Sequence, residues 1–90
     1  MTLTDLRYFV ALADIRHFAR AAAACFVSQP TLSIAIKKLE DELDVALFER
    51  HRHEVLVTPA GERLVAQARR VLQEASLLKD NLGDAMFDVR

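Results

Sequence analysis

The sequence predicts a mainly α-helical fold: three short helices, a two-stranded ribbon and one long final helix. Three observations carry this expectation. Only two Gly and two Pro occur in 90 residues, too few turn formers for a sheet-rich chain. Three apolar stripes recur at helical spacing before Asp44. A fourth, running from Leu64 to Leu82, alternates steps of four and three, the seam of a coiled coil.

Length and composition bound the rest. Ninety residues make one small domain, and 52% hydrophobic residues build a small core that dimerisation would strengthen. The lone Cys25 excludes an internal disulfide and fits a reducing compartment. The N-terminus "MTLTDLRYF" lacks the apolar stretch of a signal peptide. The longest apolar run, Ala21 to Val27, is far too short to cross a bilayer. A soluble, cytoplasmic protein without a membrane partner is expected.

The elements follow in order. Leu6, Phe9, Val10 and Ala13 give the first helix its buried face, with Thr4 as the expected N-cap. Phe18, Ala21, Ala22 and Cys25 do the same for a second helix, roughly 17–25, whose alanines allow close approach of a neighbour. After the gap Phe26–Val27–Ser28, a third helix starts. Ser28 caps it, and Pro30 fits its first turn because those N–H groups lack partners anyway. Leu32, Ile36, Leu39 and Leu43 are its inner stripe. Pro30, Ile34 and Lys37 then turn outward, with Ser33 beside them.

Leu47–Phe48–Glu49 and Val55–Leu56–Val57 are β-prone segments around a basic turn, Arg50 to Glu54, and predict a hairpin. Thr58 caps the last helix, with Pro59 in its first turn and Glu62 near the positive end of its dipole. This helix is expected to reach about Leu82, a rod of ~36 Å at 1.5 Å per residue. Asn81 and Gly83 offer the C-cap, and the tail "DAMFDVR" shows no pattern.

A bracing helix, a tight turn, a second helix and a ribbon form a winged helix-turn-helix. In such a fold the second helix enters the DNA major groove and its N-terminal residues reach base edges. The third helix has short polar side chains at its start, then Ile34, then Lys37 and Lys38. Gln29 is the best base-reading candidate, since Gln pairs bidentately with adenine. Ser28 serves first as a cap. The wing would set Arg50, Arg52, His51 and His53 against backbone or minor groove. The net charge of −1 counts against a nucleic-acid ligand. The acids Glu40, Asp41, Glu42 and Asp44 are nevertheless grouped at one end of the third helix, with Lys37 and Lys38 before them and Arg50 and Arg52 in a different segment.

The stretches "DLRYFVALAD", "HFARAA", "VSQPTLS", "KKLEDEL", "LFER" and "VTPAGERLVAQARRVL" resemble, in order and spacing, the N-terminal domain of LysR-type transcriptional regulators. "VALADIRHFARAA", "VSQPTLS" and "KLEDEL" are most similar to the OxyR-type, hydrogen-peroxide-responsive branch. The resemblance implies a DNA-binding domain over 1–58 and a dimerising linker helix over 59–90. It implies double-stranded operator DNA as partner and a homodimer, with a tetramer open to the full-length protein. It also implies a larger effector-binding domain, absent from this chain, which in the peroxide branch carries the sensing cysteines; Cys25 is then not a sensor. By the family pattern Gln29, Pro30, Thr31 and Ser33 lie at the DNA, with Lys37 and Lys38 near the backbone; Ser28, first a cap, and the outward Ile34 are expected on the same surface. Arg50, Arg52 and His53 would serve from the wing. Many members have arginine at the positions of Ile34 and His53 and a polar residue at Ala35, so those arginine contacts do not carry over. Leu64, Ala68, Val71, Ala75, Leu78 and Leu82 would form the dimer strip.

Bland readings stand beside these. Lys37 and Lys38 also suit a solubilised helix face. His51 and His53 are two apart without a Cys or carboxylate at ligand spacing, so no metal and no cofactor are expected. Cys25 on the apolar stripe reads as packing. No Gly-rich phosphate loop, nucleophile elbow or paired carboxylates support an enzyme. The rival is a dimeric helical module that binds another protein and no DNA, favoured by the acidic balance and the outward Ile34.

Overall fold

The computed structural model describes residues 1–52 and 54–88, with side chains of the last helix as far as Asn81. Its elements are α1 (Leu3–Ile15), α2 (Phe18–Ala24), α3 (Gln29–Leu43), β1 (Phe48–His51), β2 (Glu54–Val57) and α4 (Pro59–Asp88). This is the winged helix-turn-helix with a long terminal helix that the stripes predict.

Helix α1 is central and packs against α2, α3 and α4. Leu6, Phe9, Leu12 and Ala13 form its buried face. Its N-cap is Thr2, not Thr4. Thr2 Oγ1 accepts the Asp5 N–H at 3.1 Å while the Asp5 carboxylate accepts the Thr2 N–H at 3.0 Å. This reciprocal box satisfies two orphan donors, which Thr4 could not do from inside the first turn. Helix α2 is shorter than 17–25. His17 is its N-cap, with imidazole Nδ1 accepting the Arg20 N–H at 3.1 Å, and Cys25 is its half-buried C-cap. Ala21 and Ala22 are buried.

The turn into α3 passes through Phe26, which is left-handed at φ 60° and 95% exposed. A bulky side chain is disfavoured there, since its Cβ crowds the following carbonyl. Ser28 then caps α3, and Leu32, Ile36 and Leu39 are fully buried as the stripe requires.

The ribbon is tighter than the expected 50–54 turn. Arg50 and His51 belong to β1 and Glu54 to β2, in antiparallel register from Phe48↔Val57 to His51↔Glu54. His53 lies outside the described residues. Phe48 stands edge-on to Phe9 with centroids 5.7 Å apart, which joins the wing to α1. The joint with α4 is close. Thr58 Oγ1 donates to Ala46 O at 2.6 Å and accepts the Gly61 N–H at 3.0 Å. A Cβ on Gly61 would collide with Leu47 O, so only glycine lets the first turn of α4 approach the backbone just before β1.

Helix α4 runs through Asn81 and Gly83 to Asp88, so neither residue is a C-cap, and most of the tail is helical. A helix-interior glycine costs only ~1 kcal/mol, and no proline follows to stop the chain. The seam divides in use. Ala68 is buried in the molecule's own core, with Val65 beside it on α4, and Leu64 packs against that core. Val71 and Leu78 are exposed at 40% and 69%, Ala75 is half-buried, and the Leu82 side chain lies outside those described. Ala68 is thus packed within the protomer, at the edge of an apolar hollow that it lines with Leu64 and Val71.

Candidate nucleic-acid interface

The start of α3 is built by its cap. Ser28 Oγ accepts the Thr31 N–H at 3.3 Å and lies 2.8 Å from Thr31 Oγ1. Both hydroxyls are thereby partly committed to the helix start. Gln29 and Pro30 are exposed in the first turn, and Ser33 is half-buried. Ile34 is 61% exposed, as its helical phase requires. Lys37 and Lys38 are exposed one turn further on.

The wing closes against this face. Gln29 shares one shallow hollow with Arg52, His51, Arg16 and His17. Ser33, Ile34, Lys37 and Lys38 share a second with Phe48 and Arg50. Helix start and ribbon thus form one surface. Arg50 does not simply project into solvent: its guanidinium stacks over the Phe18 ring at 4.6 Å, pinning the ribbon to α2. Among the described residues Arg52 and Lys38 have no ion-pair partner. Lys37 does, since Nζ meets Asp41 Oδ1 at 2.9 Å, and that hydrogen bond raises its pKa.

The acidic end of α3 is largely occupied from within. Glu40 Oε2 accepts two wing N–H groups, from Leu47 at 2.8 Å and Phe48 at 3.2 Å. Asp41 holds Lys37, and Glu42 takes the Met1 ammonium at 2.8 Å. Of the four carboxylates in this cluster, Asp44 alone has no partner among the described residues. Three of these four acids are thus engaged within the fold, while the net charge of the chain stays at −1. Elsewhere Asp14 and Arg69 tie α1 to α4, and the Arg69 hydrogen bond holds the Asp14 carboxyl below its usual range.

Sequence reasoning missed three of these roles. The threonine box was readable from "TLTD", where Thr and Asp stand three apart. The Glu40 clamp and the Arg50–Phe18 stack join residues distant in sequence, and spacing gives no signal for either.

Fold and surface define a winged helix-turn-helix whose second helix and wing share one partly cationic face. The family model for bacterial regulatory helix-turn-helix proteins of the lysR family matches residues 3–62, and the chain belongs to that family. It is 57% identical over 89 residues to the hydrogen peroxide-inducible genes activator of Dickeya chrysanthemi, covering 96% of this chain and 29% of that protein. A full-length OxyR variant from Pseudomonas aeruginosa superposes with TM-score 0.88 at 56% identity, over 94% of this chain and 28% of its own. The CbnR DNA-binding domain, solved in complex with DNA, reaches TM-score 0.92 at 35% identity, over 96% of this chain and 99% of its own. The chain thus spans less than a third of the curated relative and of the full-length structure. Among the described residues no helix is long and apolar enough to cross a membrane.

Proposed function

We propose that the chain is the DNA-binding part of a cytoplasmic, peroxide-responsive transcriptional regulator of the OxyR type, and that it has no catalytic role. It binds double-stranded operator DNA as a homodimer, with α3 in the major groove and the 48–57 ribbon on backbone or minor groove. Gln29 and Ser33 face bases, Lys37, Lys38 and Arg52 face phosphates, and Arg50 orients the ribbon through Phe18. Residues 59–90 are the linker, of which Val71, Ala75, Leu78 and Leu82 form the pairing strip beyond the part buried on α1.

The observation that carries this reading is the shared surface. Arg52 sits in one hollow with Gln29, and Arg50 in another with Lys37 and Lys38. A groove-entering helix and a cationic ribbon are what phosphate positioning and base reading require together. The peroxide response rests on the relatives' names and belongs to the whole protein. Fluorescence anisotropy with random duplex DNA at two salt concentrations tests the binding. Affinity should fall steeply as salt rises, by counterion release, and Arg52→Ala should weaken binding to all sequences alike and flatten the salt dependence. A salt-independent signal, or none at low salt, would sink the proposal.

A further inference from the structure

Ile34 is the one exposed large hydrophobic side chain on α3, in the middle of a face that also carries Pro30, Ser33, Lys37 and Lys38. It stands on the crest of the helix. It borders both the hollow on the wing side, with Ser33 and Arg50, and the hollow on the N-terminal side, with Thr2 and Thr31. Pro30 lies one turn before it and Lys38 one turn after, on the same line of the helix. Its apolar neighbours on this face are Met1 and Ala35 in the N-terminal hollow, where Thr2, Thr31, Lys38 and Glu42 break up the apolar surface. The branched Cβ leaves Ile nearly one rotamer in a helix, so it meets a ligand with little entropy left to lose.

We infer that Ile34 is a specificity residue that reads the C5-methyl group of a thymine in the major groove. This rests on the DNA-binding reading above. Once the crest of α3 enters the groove, the side chain meets base edges that present donors, acceptors and one kind of apolar group, the thymine methyl. A polar edge opposite Ile34 would lose water and gain no hydrogen bond. The methyl alone lets both surfaces leave water together. Lys37 and Lys38, one turn on, hold the helix to the phosphates while this contact forms. The operator then carries a thymine at the position opposite Ile34 in each half-site, because a two-fold dimer presents the contact twice.

The test selects bound sequences from random duplex DNA with the 90-residue chain and with Ile34→Ala and Ile34→Val. The side chain is exposed, so both variants should keep the wild-type melting temperature. The wild type and Ile34→Val should enrich a thymine that Ile34→Ala does not. Replacing that thymine by uracil in the selected duplex removes only the methyl. This should weaken wild-type binding about fourfold per half-site, the effect of losing one buried methyl-sized group, and Ile34→Val similarly. Ile34→Ala should bind the thymine and uracil duplexes alike. Selection of a clear consensus in which uracil costs all three proteins the same, at every thymine, overturns the Ile34 assignment and leaves DNA binding intact. Failure of the wild type to enrich any sequence or to bind duplex DNA at low salt overturns the DNA-binding reading itself.

Discussion

At the scale of single residues, the outer face of α3 is a balance of charges. Lys37 is turned toward Asp41 at i+4, with the cation on the N-terminal side, the weaker order for a helical pair. In the free protein that pair contributes little to folding. Near DNA it has a cost, since Asp41 competes with phosphate for Lys37 and repels the backbone. Asp41→Asn should therefore tighten duplex binding roughly two- to fivefold, the range an exposed ion pair is worth. It should also steepen the salt dependence by about one phosphate contact. An unchanged Kd at low salt would show that Lys37 does not reach the backbone. Phe26 poses the opposite problem, backbone strain with no packing in return. It is left-handed and 95% exposed, so Phe26→Asn removes strain and buries nothing less. Its melting temperature should rise by roughly 4–8 °C, corresponding to ~1 kcal/mol in a domain of this size. A lower melting temperature would mean that the aromatic ring is held by contacts the fold does not show.

At the scale of elements, legibility follows the range of the interactions. The inner stripes of α1 and α3 were readable because period-3.6 burial is written in neighbouring residues, and Ser28 and Pro30 fixed the start of α3 by local chemistry. The outward direction of Ile34 follows from the same phase. Element ends were harder. Thr2 outcompetes Thr4 only because Asp5 completes the box, and His17 caps α2 with a ring nitrogen that the usual list of cap residues omits. The ribbon gained Arg50, His51 and Glu54 because cross-strand pairing continues through polar residues once one face packs on Phe9. The chemistry of the face was least legible. Whether Arg50 is free, or the acids near α3 are paired, depends on groups brought together only by folding. Gly61 belongs to the same class, since its necessity comes from Leu47 across the wing joint.

At the scale of the whole molecule, the chain does not close on itself. Its radius of gyration is 15.3 Å and its long dimension 58 Å, whereas a compact 90-residue body would have a radius near ~12 Å. The excess is α4, 30 residues and ~45 Å long, whose first turns finish the core and whose described side chains past Leu72 are mostly exposed. A helix carrying Val71, Leu77 and Leu78 into water has the character of half an interface. The strip is also continuous with an apolar hollow lined by Leu6, Leu43, Leu64 and Val71 at the base of α4. A second copy of the chain fits this geometry, because a two-fold axis along α4 would pair the strip with itself and set two α3 helices toward successive half-sites. Each large side chain buried there contributes up to ~1.5–3 kcal/mol. Replacing Val71 and Leu78 together by glutamate should yield a folded monomer, since both are exposed within the protomer. That monomer should keep weak, salt-sensitive binding to random duplex DNA, with a salt slope about half that of the dimer, and should lose the preference for a two-half-site operator. Sedimentation equilibrium gives the decisive number. A wild-type chain that is monomeric at micromolar concentration would sink the pairing, and a double variant that stays dimeric would move the pairing surface away from the outer half of α4.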